Sequence, residues 1–336
     1  MHAAIASVST PDLSSDARVS SMHRTRTRFA ERVNRVATGL ERRGVVATYE
    51  VHDRLLANRT SRRRYVQSPP SLDEVQRQVL DSLRREGYAS LSLSELVPDA
   101  GVWQELESDA ARFVAETESG LAREREGGKS ELRRRAGKEF LVRKYSWGEQ
   151  LGLDDPWLRL GTHPRLLDLA NAYLQMWSKL EYVDVWYTPS AGSDERRASQ
   201  RWHRDFNDRH LLKAFLYLVD VDEETGPFEY VPRSAPGGEL EAHWRWRPLG
   251  DNYPPEDELA TRIGDRAVKF TAPKGTLILC NTSGFHRGGF ASGKPRVLAT
   301  LTWDSPASLK ALSERNYTFV PQNGAALGEA QRYALT

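Results

Sequence analysis

The chain carries two hydrophobic textures. Up to about Leu180, apolar residues return at the three- and four-residue spacing that stripes one face of a helix. This predicts helices over Arg26–Arg43, from Ser71 to Arg85, over Val102–Glu118 and over Pro164–Leu180. In Ser71-Leu-Asp-Glu74 a hydroxyl stands three residues ahead of an acid, the capping-box order, and Gly87 supplies a C-terminal stop. Ser68-Pro69-Pro70-Ser71 is a linker, Tyr88–Leu93 alternates as a strand, and the charged tract Arg123–Lys138 is expected as a surface helix or loop.

From Glu181 the period shortens to two. Tyr182–Thr188, Gln200–Phe206, Leu211–Val221, Phe228–Pro232, Ala267–Thr271, Thr276–Asn281 and Arg296–Trp303 are short β-rich runs separated by turn residues. Strands in series with no helices between them imply a sandwich or jelly roll. Helices first and strands later give an α+β layout: a jelly-roll core braced by helices of the N-terminal half.

Composition adds constraints. With 336 residues the chain can bury a full core, and a mean hydropathy of −0.61 suits a somewhat charged soluble protein. The longest apolar stretches, such as Leu211–Val219 with its internal Lys213, are too short to span a bilayer. The N-terminus has no continuous apolar core after its first charges, which argues against a secretory signal. A single cysteine, Cys280, excludes an internal disulfide and a multi-cysteine metal site, so a reducing, cytoplasmic setting is expected. Residues 1–68 hold 13 Arg against 6 acidic residues, a local charge of +7, and the remainder carries −5. The basic arm lacks aromatic interleaving and any nucleic-acid motif, so nucleic acid is not the expected partner. The expected organisation is an Arg-rich extension over 1–68, a catalytic domain over 69–306 with a substrate-side insertion near 239–263, whose His243-Trp-Arg-Trp-Arg247 run offers aromatic and cationic contacts, and a C-terminal extension over 307–336. Oligomeric state is not written in the sequence.

The sharpest chemistry lies in Trp202-His203-Arg204-Asp205. On extended backbone, residues i and i+2 share a face, so His203 and Asp205 would stand side by side while Arg204 turns away. An imidazole and a carboxylate so placed form two corners of a facial metal triad. Alone, His-x-Asp is weak evidence, being more often a surface pair. Among the eight histidines, four precede the β-region, His210 opens the strand after the pair, and His243 lies in the insertion. His286 differs: it follows the buried-type strand Gly275–Asn281 and precedes Gly288-Gly289, where a bare backbone leaves room near a ligand. Ten residues on, Arg296 opens a strand whose alternation groups it with Leu298, Thr300 and Thr302. A cation there needs an anionic partner, and a dicarboxylate matches the guanidinium fork.

Taken in order, Gln200–Phe206, Phe215–Asp220, Thr225-Gly-Pro-Phe-Glu-Tyr-Val-Pro232, Gly275-Thr-Leu277, His286 and Arg296 resemble the phytanoyl-CoA dioxygenase-like family over roughly Glu181–Trp303. The resemblance implies a double-stranded β-helix and an enzyme dependent on Fe(II), 2-oxoglutarate and O2. It implies His203, Asp205 and His286 as iron ligands, Arg296 on the distal carboxylate of 2-oxoglutarate, and Phe215 lining the co-substrate pocket. A small-molecule substrate would be oxidised at a C–H bond with release of succinate and CO2. A carboxylate at Asp205 goes with hydroxylation, desaturation or ring formation, since related halogenases lack it. The sequence departs from the family pattern at Gly288, where a hydroxyl is common, and leaves two candidates, Arg143 and Lys144, for the family's upstream basic residue. Two other classes compete: a zinc hydrolase using His203, Asp205 and either His210 or His286, and a non-catalytic β-barrel binding protein with a basic nucleic-acid arm. The first does not explain Arg296, and the complete set of iron ligands counts against the second.

Overall fold

The structure, a computed structural model, describes residues 48–135, 138–190, 196–247, 252–309, 315–322 and 326–336. The expected helix over Arg26–Arg43 lies outside the described residues. The strands are β1 Tyr88–Ser92, β2 Arg133–Arg135, β3 Lys138–Arg143, β4 Glu149–Leu151, β5 Lys179–Thr188, β6 Leu211–Tyr217, β7 Glu229–Tyr230, β8 Val268–Lys269, β9 Thr276–Cys280, β10 His286–Arg287, β11 Arg296–Asp304 and β12 Tyr317–Phe319. Seven form an antiparallel sheet in the order β1-β9-β6-β11-β5-β3-β2, three form a small sheet β10-β7-β8, and β12 pairs with β4. The large and small sheets enclose an apolar interior of Phe215, Tyr217, Phe228, Tyr230, Ile278, Cys280 and Leu298. This is the jelly roll that the period-two runs predicted.

Helices cover the outer face of the large sheet. They are α2 Glu74–Glu86, α3 Leu93–Leu96, α4 Ala100–Arg125, α5 Pro156–Thr162 and α6 Pro164–Leu174 from the N-terminal half, preceded in the chain by α1 Asn58–Gln67. Strand β11 shows how one sequence serves both layers. Val297, Ala299, Leu301 and Trp303 join the core shared with the helices, whereas Leu298 joins the interior, and Arg296 is in phase with Leu298.

Local chemistry moved several boundaries. Helix α2 is capped by Asp73, not Ser71: its carboxylate accepts from the Gln76 amide at 2.9 Å while Gln76 Oε1 accepts from the Asp73 amide at 3.0 Å. Gly87 ends it at φ 84°, as expected. The helix expected over Pro164–Leu180 stops at Leu174, where Gln175 turns left-handed at φ 55°, and Lys179 already belongs to β5. The tract Arg123–Lys138 splits, its first residues ending α4 and Arg133–Arg135 forming the edge strand β2. Gln200–Phe206 is not a ladder strand: only His203 pairs, through an isolated antiparallel bridge to His286. Trp157 and Trp177 pack in the core as expected, but Trp147 is half exposed.

Residues from Tyr49 onward are helical, π-helical over His52–Ala57 and then continuing as α1. They are tied to the β-domain by buried polar contacts. Tyr49 Oη donates to Asp208 Oδ1 at 2.7 Å, Asn58 Nδ2 donates to Ser305 Oγ at 3.1 Å, and Ser61 Oγ donates to the Trp177 carbonyl at 2.6 Å. In sequence these polar side chains resemble a solvated helix face; only long-range packing reveals that they are inside.

Candidate metal centre

His203, Asp205 and His286 converge, with one donor atom of each lying within 4.8 Å of the others. Backbone pairing brings them together: the His203 and His286 amides each donate to the other's carbonyl at 3.0 Å, and the Asp205 amide donates to the Thr282 carbonyl at 2.7 Å. The two imidazole centroids are 4.2 Å apart. Each ring has its Nδ1 occupied, by the Arg201 carbonyl at 2.8 Å for His203 and by the Gly284 carbonyl at 3.0 Å for His286. An N–H on Nδ1 fixes the tautomer that leaves the Nε2 lone pair free. Those Nε2 atoms lie 3.9 Å from opposite oxygens of Asp205.

Protonation favours cation binding. Burial pushes the His203 imidazole down to about 4, against the pull of Asp205. Burial, together with the charge of His203, holds His286 well below the ordinary range. Burial raises the Asp205 carboxyl, but the Lys213 ammonium and the two imidazoles outweigh it and keep the group ionised far into acid. Two neutral nitrogens and one carboxylate therefore face one another at neutral pH.

The surroundings brace this arrangement. Lys213 Nζ lies 2.5 Å and Thr282 Oγ1 2.6 Å from Asp205 Oδ2. The buried Arg204 turns away from the cluster, as expected. It donates to the Ser234 and Ser283 carbonyls and lies 3.8 Å over the Phe285 ring, pinning the segment that leads into His286. The insertion reaches the site too: Trp246 Nε1 donates to the Asp205 carbonyl at 2.7 Å, and the Tyr253 ring stacks on His203 at 5.3 Å and 15°.

Arg296 is buried on the inward face. Its Nη1 donates to the Gly226 carbonyl and its Nε has no partner. Among the described residues no carboxylate forms an ion pair with it, and burial lowers its pKa. The Gly226-Pro-Phe228 run links it to the cluster, because the Phe228 ring lies 5.9 Å from His286. Phe215 packs on Phe228, their ring centroids 4.6 Å apart. The two glycines after His286 play different parts. A Cβ on Gly288 would stand 3.5 Å from Arg296 Nη2, whereas one on Gly289 would collide with the backbone of Gly226 and Pro227.

Strand register separates Arg143 from Lys144. Arg143 pairs inward with Asp184 at 2.6 Å, and Lys144 points outward to Asp109 on α4 at 2.9 Å. Of the remaining histidines weighed as ligands, His210 sits 3.3 Å from Asp53 and His243 lies in an exposed turn, so neither joins the cluster. Lys213 and Tyr253 were not singled out in the sequence. Lys213 left a signal, as the lone charge in the apolar run Leu211–Val219 and two positions from Phe215. Tyr253 left none.

No protein-family profile and no curated protein matches the chain. Solved structures similar to it include the non-haem α-ketoglutarate-dependent epimerase SnoN from nogalamycin biosynthesis, with Fe3+, α-ketoglutarate and nogalamycin RO. It has 21% identity and a TM-score of 0.46, and the match covers 69% of this chain and 84% of that one. EctD from S. alaskensis, as the apoform, has 18% identity and a TM-score of 0.48, covering 75% and 91%. HygX from Streptomyces hygroscopicus, with nickel, 2-oxoglutarate and hygromycin B, has 15% identity and a TM-score of 0.43, covering 68% and 87%. Among the described residues no helix is long and apolar enough to cross a membrane.

Proposed function

We propose that this chain is an Fe(II)- and 2-oxoglutarate-dependent oxygenase of the phytanoyl-CoA dioxygenase-like class, oxidising a C–H position of a small-molecule substrate with release of succinate and CO2. The observation that carries the proposal is the conjunction of a two-histidine, one-carboxylate cluster with a buried Arg296 that has no acidic partner among the described residues. A zinc hydrolase would use the cluster and leave the cost of burying Arg296 uncompensated.

His203 and His286, through Nε2, and Asp205, through Oδ1, would hold the metal, leaving positions on the open side for a chelating co-substrate. Bound iron and 2-oxoglutarate supply the oxidising power drawn from O2. The chain's own residues do the placing. Arg296 grips the distal carboxylate with its planar fork, Phe215 and Phe228 give it apolar surroundings, and the backbone carbonyls of Arg201 and Gly284 hold the imidazoles in the metal-binding tautomer. The insertion over 239–263, through Trp246 and Tyr253, forms the substrate-side cover.

The test is an anaerobic titration with Fe(II) and 2-oxoglutarate, followed by the weak visible charge-transfer band of the chelate. Wild type should develop the band, while Asp205→Ala and Arg296→Ala should lose or weaken it. A wild-type protein that stays colourless, or variants indistinguishable from it, would refute the assignment. Succinate release across candidate small molecules would then identify the substrate.

A further inference from the structure

The centre contains one charge that the proposed function does not use. Lys213, on β6, reaches 2.5 Å from Asp205 Oδ2, and Thr282 Oγ1 donates to the same oxygen. Oδ1 has neither donor. Among the described residues no other acid pairs with this lysine. In register, its neighbours across the sheet are Thr302 and Cys280, neither of them acidic, and burial keeps the Cys280 thiol protonated. Its ammonium lies 5.9 Å from the ring of Phe215, a residue of the interior between the sheets, so the cation is on that face and not on the helical side. A lysine in a strand otherwise built of Leu, Ala, Phe and Tyr is an expensive choice unless its charge has a task.

We propose that Lys213 is a positioning residue that adapts the metal centre to an anionic co-ligand. By occupying Oδ2 together with Thr282, it reserves Oδ1 as the single metal donor of Asp205. By balancing the carboxylate, it makes the protein's own contribution electrically neutral: two neutral imidazoles, one anion and one cation. A divalent ion bound there keeps its full double charge for a dianionic chelator. Without Lys213 the carboxylate would neutralise part of that charge, so the ion would bind more tightly and the dianion more weakly. Opposite changes in the two affinities are the signature of this role. A lysine that merely props up the fold would weaken both when removed.

This inference rests on the metal-centre function proposed above, and the experiment separates the two. Ni(II), which is redox-silent, and then 2-oxoglutarate are titrated calorimetrically into wild type, Lys213→Met, Lys213→Gln and Lys213→Arg, with thermal unfolding of each apo protein alongside. Both neutral variants should bind Ni(II) about tenfold or more tightly and bind 2-oxoglutarate to the Ni(II) form about tenfold or more weakly. Lys213→Arg should stay near wild type in both. If Lys213→Met and Lys213→Gln weaken both ligands, or move neither, the inference falls while the metal centre stands. Failure of wild type to bind Ni(II) at all would overturn both. Should Lys213→Met unfold, Lys213→Gln, which retains a donor for Oδ2 without the charge, decides the matter.

Discussion

Replacing Arg296 by Met keeps most of the apolar stem and removes the guanidinium, and the structure predicts that affinity and stability respond in opposite directions. In the free protein the guanidinium is buried, and among the described residues its Nε has no partner while Nη1 meets the Gly226 carbonyl. Removing a buried polar group that is poorly paired recovers about 1–3 kcal/mol of desolvation cost, less what the Gly226 carbonyl loses. The apo variant should therefore be as stable as wild type or up to ~2 kcal/mol more stable. With 2-oxoglutarate, the lost interaction is a pair of charge-assisted hydrogen bonds of about 1.5–3 kcal/mol each. A total of ~3–6 kcal/mol corresponds to a rise in Kd of about 10²- to 10⁴-fold. Urea unfolding of the two apo proteins gives the first quantity, and titration of the Ni(II)-loaded proteins with 2-oxoglutarate gives the second. A variant that is clearly less stable as apo protein, yet binds 2-oxoglutarate like wild type, would show that Arg296 is structural and refute the reasoning.

Three further outcomes follow from particular contacts. His203 is held at about 4 against an ordinary 6.5, so its neutral form stabilises the fold fully above pH 6.5 and progressively less as pH falls towards 4. A loss of about 3 kcal/mol over that window in the unfolding free energy is expected, and His203→Gln should remove that part of the pH profile. Gly289→Ala should cost about 3 kcal/mol, because its Cβ would overlap the backbone at Gly226 and Pro227; thermal melts of this variant beside the milder Gly288→Ala check it. Tyr49→Phe takes one donor from the buried Asp208 carboxylate and should cost about 1–3 kcal/mol in urea unfolding, which would tie the N-terminal helix to the stability of the β-domain.

Much of this protein is written in local pattern. Period-two alternation located most of the strands, and on β11 it also sorted Arg296 and Leu298 from Val297 and Leu301, because a strand's two faces are set by residue parity alone. The His203/Asp205 pair was legible for the same reason, even though the segment forms only a single bridge: extended backbone suffices to turn both side chains one way. What parity cannot supply is which distant segment closes on which. His286 was reached by elimination in the sequence, but only the bridge to His203 puts its Nε2 beside Asp205. Lys213 looked like an interruption in an apolar run until folding brought its ammonium to Asp205. The aromatic run His243–Arg247 marked the 239–263 segment as a substrate-side element, but only the fold sets Trp246 on the Asp205 carbonyl, and Tyr253, outside that run, had no signal of its own. Arg143 and Lys144 are adjacent and chemically alike, and a single step of register against β5 sends one inward to Asp184 and the other outward to Asp109. Identity and parity are properties of a short stretch of chain. Register, and which oxygen of Asp205 meets Lys213 and Thr282, depend on contacts between stretches far apart, and only tertiary packing fixes them.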